Sequence, residues 1–146
     1  MYPPAVAERH PDRVAYIMAG SRQTLTYSQL DRASNRLAHV FRQHGIRAGD
    51  TLAVVLENRI EWPVVVAAGL RSGLYVAPLN WHLNPAELGA LLADARPRAL
   101  ITSAAIAASL GGLGGLGGPC DSPVHRAVGL SRNVTCHGVS QSRAAA

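Results

Sequence analysis

The chain has 146 residues, 48% of them apolar, which is enough for one domain with a buried core. Its formal charge of +5 rests on fourteen arginines and no lysine, so no side chain can bring a primary amine to a reaction. The arginines stand singly along the sequence rather than in a basic cluster interleaved with aromatics, which argues against a nucleic-acid interface.

Composition changes along the chain. All seven aromatic residues lie between Tyr2 and Trp81, whereas both cysteines and eight of the fourteen glycines follow Ser103. The change predicts a globular part over residues 1–110 and a Gly-rich linker with an irregular, disordered tail over 111–146. Met1 to His10 has no basic region followed by an apolar run, so no secretory signal is read and the cytoplasm is the expected compartment.

In chain order, Arg13 to Ala19 and Gln23 to Tyr27 flank Gly20-Ser21 and predict an antiparallel hairpin. A helix-start signature then occurs three times, as Thr26-x-x-Gln29, Asn58-x-x-Glu61 and Asn84-x-x-Glu87. In each, a short side-chain oxygen can accept a backbone N–H three residues on while the Gln or Glu reaches back, worth about 1 kcal/mol per cap. After the first, Leu30, Ala33, Leu37, Val40 and Phe41 recur at helical spacing up to Gly45.

Gly49-Asp50 turns into Thr51 to Leu56, a continuous apolar run suited to a central parallel strand buried on both faces. The second cap leads into a helix over Trp62 to Leu70, and Tyr75 to Leu79 reads as a strand that Pro78 ends or places at an edge. Pro85 supports the third cap, whose helix runs through Leu88, Leu91 and Leu92 to a strand at Arg98 to Thr102. The succession predicts an α/β fold in which a hairpin precedes a β-α-β-α-β parallel-sheet unit.

Beyond it, Ser103 to Leu110 predicts a helix. Ala99 to Cys120 carries no charge over 22 residues, long enough for a membrane span. Its second half is GGLGGLGGP, however, and each glycine costs a helix about 1 kcal/mol, so a linker is predicted and no transmembrane segment. Gly111 to Gly118 could cradle a phosphate only with Lys, Ser or Thr in it and a helix after it; it has none of these and ends at Pro119. Cys120 and Cys136 have no metal-ligand spacing beyond the neighbours Cys136-His137, and the sequon Asn133-Val134-Thr135 lacks the signal peptide it would need.

His82, beside Trp81 after a parallel strand, is placed where open α/β sheets bind ligands, yet no acid, nucleophile or second histidine has matching spacing. It reads as a loop histidine with a local hydrogen bond. Asp50 and Asn58 read as turn and cap residues. No catalytic, cofactor-binding or metal-binding residue is therefore assigned.

Five short words in register, Pro11-Asp12-Arg13-Val14-Ala15, Leu25 to Leu30, Gly45 to Asp50, Glu57-Asn58 and Pro78-Leu79-Asn80, resemble the amino-terminal region of adenylate-forming enzymes. That family comprises acyl-CoA synthetases, luciferases and peptide-synthetase adenylation domains, and Trp81-His82 resembles the fatty-acyl-CoA ligase branch. The resemblance implies activation of a carboxylic acid by ATP to an acyl adenylate, with magnesium, followed by transfer to coenzyme A. It also implies that the lysine-bearing phosphate loop, adenine motif and carboxy-terminal lysine lie downstream, since none matches a residue here. The expectations are a chain that holds only the amino-terminal part of the ligase, binds no cofactor itself and lacks activity alone. An interaction module that pairs with itself or with the remainder of a split ligase is the alternative. The unlike composition of the tail further suggests out-of-frame coding after residues 110–118.

Overall fold

The computed structural model describes residues 3–109, 116–119 and 134–139. It opens with a helix that sequence periodicity did not announce, α1 (Pro3–Arg9), which packs against α2. The hairpin follows as β1 (Val14–Ile17) and β2 (Thr24–Thr26), antiparallel with a register shift between Val14 and Tyr16.

The first capping box forms as expected. Thr26 Oγ1 accepts the N–H of Gln29 while Gln29 Oε1 accepts that of Thr26, and α2 (Tyr27–Gln43) starts there. Leu30, Leu37 and Phe41 on its apolar stripe are 2% exposed or less, each contributing about 1.5–3 kcal/mol by burial. The helix closes at His44, and Gly45 follows with φ of +73°, a left-handed conformation in which a β-carbon would be strained.

β3 (Thr51–Val55) runs parallel between β4 (Tyr75–Pro78) and β5 (Ala99–Ser103), so the continuous apolar run is indeed the buried central strand. β4 is the edge strand and Pro78 its last residue. The crossovers α3 (Trp62–Arg71) and α4 (Pro85–Ala95) lie on opposite faces. Leu52, Val54 and Ile101 pack toward α2 and α3, while Ala53, Val55 and Leu100 pack toward Leu88 of α4 and Ile106 of α5 (Ala104–Ser109). Strand residues alternate between faces, so one apolar run serves two cores.

One expectation is corrected. Asn58 does not cap α3: the residue before that helix is Glu61, whose side chain makes no cap hydrogen bond. Pro63 in the first turn sets the start at Trp62, too far on for Asn58, and Glu61 is taken by Arg59 at 3.3 Å. Among the described residues of the tail, β6 (Leu116–Pro119) and β7 (Val134–Val139) extend the sheet in the order β4-β3-β5-β7-β6. β7 pairs antiparallel with β5, from Ala99 opposite Gly138 to Ser103 opposite Val134. A fully buried β5 with a bare edge would leave backbone N–H and C=O groups without partners, and β7, with Val134, Thr135 and Val139, supplies them. The boundary at residue 110, Gly111–Gly115, Cys120 and Asn133 lie outside the described residues.

Candidate functional site

Open parallel sheets place ligands beyond the carboxyl ends of their strands, where successive crossovers diverge. Here β3 leads through α3 to β4 on one side, and β5 lies on the other side of β3. Glu57 follows the end of β3 and Ser103 is the last residue of β5, which brings them together. Ser103 Oγ donates to Glu57 Oε1 at 2.8 Å and also accepts the N–H of Ile106 at 3.2 Å, so one hydroxyl ties two strands to the first turn of α5.

Arg59 lies between two carboxylates at the same end. Its Nε is 3.3 Å from Glu61 Oε2 and its Nη1 is 4.0 Å from Glu57 Oε2, a contact too long for a hydrogen bond. Glu61 is nearly buried, so this pairing offsets the cost of taking a carboxylate out of water. Glu57 Oε2 is nevertheless buried without a hydrogen-bond partner, and the cation of the cluster, Arg59, is engaged by carboxylates rather than aimed at a phosphate.

The residues weighed from sequence do not join it. His82 is exposed, its ring 3.6 Å from that of Trp81 between centroids, and its backbone N–H donates to Asn80 Oδ1 at 3.0 Å. Asp50 closes the turn before β3 by accepting the Arg47 N–H at 2.7 Å. Asn58 is exposed at the mouth of an apolar groove. Sequence reasoning missed Ser103, whose only local signal is a polar residue ending an apolar strand and starting a helix.

The groove, about 1030 Å³, lies between the hairpin turn and the outer face of α3. Tyr16, Ile17, Trp62, Val66 and Leu70 line it, with Arg59 and Arg71 among its polar residues. Among the described residues, no three His, Cys, Asp or Glu side chains are grouped to hold a metal ion, and no helix is long and apolar enough to cross a membrane.

Comparison with known proteins gives this geometry its context. The family model described as AMP-binding enzyme matches residues 4–138, and so reaches past residue 110 into β7. The mouse protein "Long-chain fatty acid transport protein 1" is 38% identical over 106 residues, covering 73% of this chain and 16% of that one. The "Fatty acid--[acyl-carrier-protein] ligase ScoC" of Streptomyces coeruleorubidus is 33% identical over 94 residues, covering 64% and 18%. Among solved structures, the O-succinylbenzoate coenzyme A synthetase MenE of Bacillus subtilis, in complex with AMP, superposes with a TM-score of 0.66 at 32% identity over 72% of this chain and 27% of its own. The chain thus spans between about a sixth and about a quarter of the length of these relatives. With a family match over most of its residues and a sheet that superposes on a solved member, the chain belongs to the AMP-binding enzyme family.

Proposed function

We propose that these residues form the amino-terminal scaffold of an enzyme that activates a carboxylic acid with ATP, forming an acyl adenylate and then an acyl-CoA. The family match over residues 4–138 carries the reading. The names of the mouse and Streptomyces relatives favour a fatty acid as substrate. We place the protein in the cytoplasm, and divide it near residue 110 into the parallel-sheet unit and a segment joined to it through antiparallel strands.

ATP, magnesium and coenzyme A belong to the family's reaction, yet the donors at the carboxyl ends of the strands do not fit them. Glu57 is bonded to Ser103, Arg59 is shared by two carboxylates, and no lysine exists to meet phosphate. We therefore assign no catalytic, cofactor-binding or metal-binding residue to this chain and derive no step through those groups. Its contribution is mechanical: a sheet packed on both faces whose strand ends are held in fixed relation by Glu57 and Ser103.

The exposed hairpin residues Tyr16 and Ile17, together with Leu70 on α3, favour a second reading, a module that pairs with another copy or with the remainder of a ligase. Two experiments test the scaffold reading. The 146-residue chain given a long-chain fatty acid, ATP and magnesium should release no pyrophosphate above a no-protein control. A chimaera carrying residues 3–109 in place of the matched segment of the B. subtilis synthetase should fold and keep ligase activity; a folded but inactive chimaera would refute the scaffold role. A sharp monomer in size-exclusion chromatography would count against the pairing module.

A further inference from the structure

A second pocket lies at the opposite end of the sheet, beside the turns that precede β3 and β4, and its chemistry differs from that of the apolar groove. It encloses about 450 Å³ between the C-terminal ends of α2 and α3 and is lined by Asn35, Arg42, Arg47, Arg71 and Ser72 with a few apolar residues. No acid stands among its lining residues. Of the nearest carboxylates, Asp31 is bonded to Arg71 Nη2 at 2.8 Å, and Asp50 accepts the backbone N–H of Arg47 at 2.7 Å.

Arginines near helix C-termini have a plain explanation, since they complement the helix dipole. Arg42 and Arg71, in the last turns of α2 and α3, satisfy it. Three observations go beyond it. Arg47 lies in the loop after α2, exposed, with no hydrogen bond or ion pair from its guanidinium among the described residues. The Arg71 side chain is only 10% exposed and is anchored through both Nη atoms, to Asp31 and Asn35, yet its Nε is buried without an acceptor. Ser72 Oγ is likewise buried without a partner. Folded proteins rarely leave such groups unpaired.

We infer that this pocket is an oxyanion site that takes a phosphate group, held by Arg42, Arg47, Arg71 and Ser72. A tetrahedral phosphate offers acceptors in several directions, where a carboxylate offers two oxygens in one plane, and guanidinium groups bind it in paired hydrogen bonds. The Ser72 hydroxyl needs one bond rotation to present its proton. The site lies away from the carboxyl ends of the strands, so its occupant does not compete with anything bound there. It stands independently of the adenylation reading.

The test is a titration of the 146-residue chain with inorganic phosphate, against sodium chloride at equal ionic strength, followed by nitrogen-correlated NMR of backbone amides and arginine Nε–H groups. Phosphate should shift the Arg71 Nε–H and the Ser72 amide saturably. The double variant R42A/R47A, which removes two exposed side chains, should melt like the parent while its phosphate affinity falls at least about tenfold. AMP forms a second arm: shifts of the same resonances by AMP identify a phosphate monoester as the ligand class, and shifts by inorganic phosphate alone identify the free ion. Equal shifts with chloride, or undiminished phosphate affinity in the folded double variant, would overturn the assignment.

Discussion

Glu57 and Ser103 are forty-six positions apart in sequence, yet Ser103 Oγ donates to Glu57 Oε1 at 2.8 Å where β3 and β5 end side by side. Because the same hydroxyl accepts the Ile106 N–H, it links the strand ends to α5. Ser103→Ala should therefore cost about 1–2 kcal/mol in denaturant unfolding, since a helix cap and a hydrogen bond to a carboxylate disappear together. A double-mutant cycle with Glu57→Gln should show a coupling of about 1 kcal/mol. Purely additive losses would mean that the two side chains do not act as a pair.

The three cap signatures make a sharper comparison, because the structure separates sequences that look alike. Thr26→Ala and Asn84→Ala each remove a complete capping box and should destabilise the protein by about 1 kcal/mol. Asn58→Ala removes an exposed side chain that caps nothing, and should stay within about 0.5 kcal/mol of the parent. Thermal melts of the three variants at one pH suffice; an Asn58→Ala loss equal to the other two would contradict the observed start of α3.

That contrast shows which features were legible in the sequence. Hairpin, α2, the parallel strands and α4 follow from periodicity and caps because each is encoded in its own residues, as the buried stripe from Leu30 to Phe41 illustrates. β6 and β7 were not legible: β6 is a Gly-rich stretch without apolar alternation, and β7, although Val134, Thr135 and Val139 suit a strand, is a short isolated run that becomes a strand by pairing with β5. The Glu57–Ser103 contact was hidden for a related reason. Its partners meet only after two crossovers bring β3 and β5 into register, and no local spacing encodes that. The family resemblance was legible in short words that turn out to be turns and caps, such as Gly45 to Asp50, so it identified the scaffold before any site.

Asp31 and Arg71 join α2 to α3 across the top of the core at 2.8 Å, with the arginine side chain 10% and the aspartate 24% exposed. Asp31→Ala would leave a largely buried guanidinium without its carboxylate, and should cost about 2 kcal/mol. The exposed neighbour Arg32→Ala should change stability by less than about 0.5 kcal/mol. Because the pair is partly shielded from solvent, raising the salt concentration should recover little of the Asp31→Ala deficit. Equal melting of the two variants would show that the pair adds nothing to helix packing.

Two glycines should fail for different reasons when replaced by alanine. At Gly69 on α3 a β-carbon would come within 2.5 Å of Val76 Cγ2 and 3.5 Å of Leu52 Cδ2, so the helix could no longer lie as close to the sheet. Val76 is β-branched and stiff at its first side-chain torsion, and cannot easily swing aside. Gly69→Ala should therefore cost about 1–3 kcal/mol by overpacking. At Gly45 a β-carbon would meet nothing within 4 Å, but φ of +73° is unfavourable for any side chain, and Gly45→Ala should cost about 1 kcal/mol through the backbone alone. Val76→Ala separates the two mechanisms: combined with Gly69→Ala it removes the clashing methyl and should restore part of the loss, while combined with Gly45→Ala it should simply add its own cost. Unfolding midpoints of the single and double variants decide the matter, and additivity in the Gly69 pair would rule out the steric explanation.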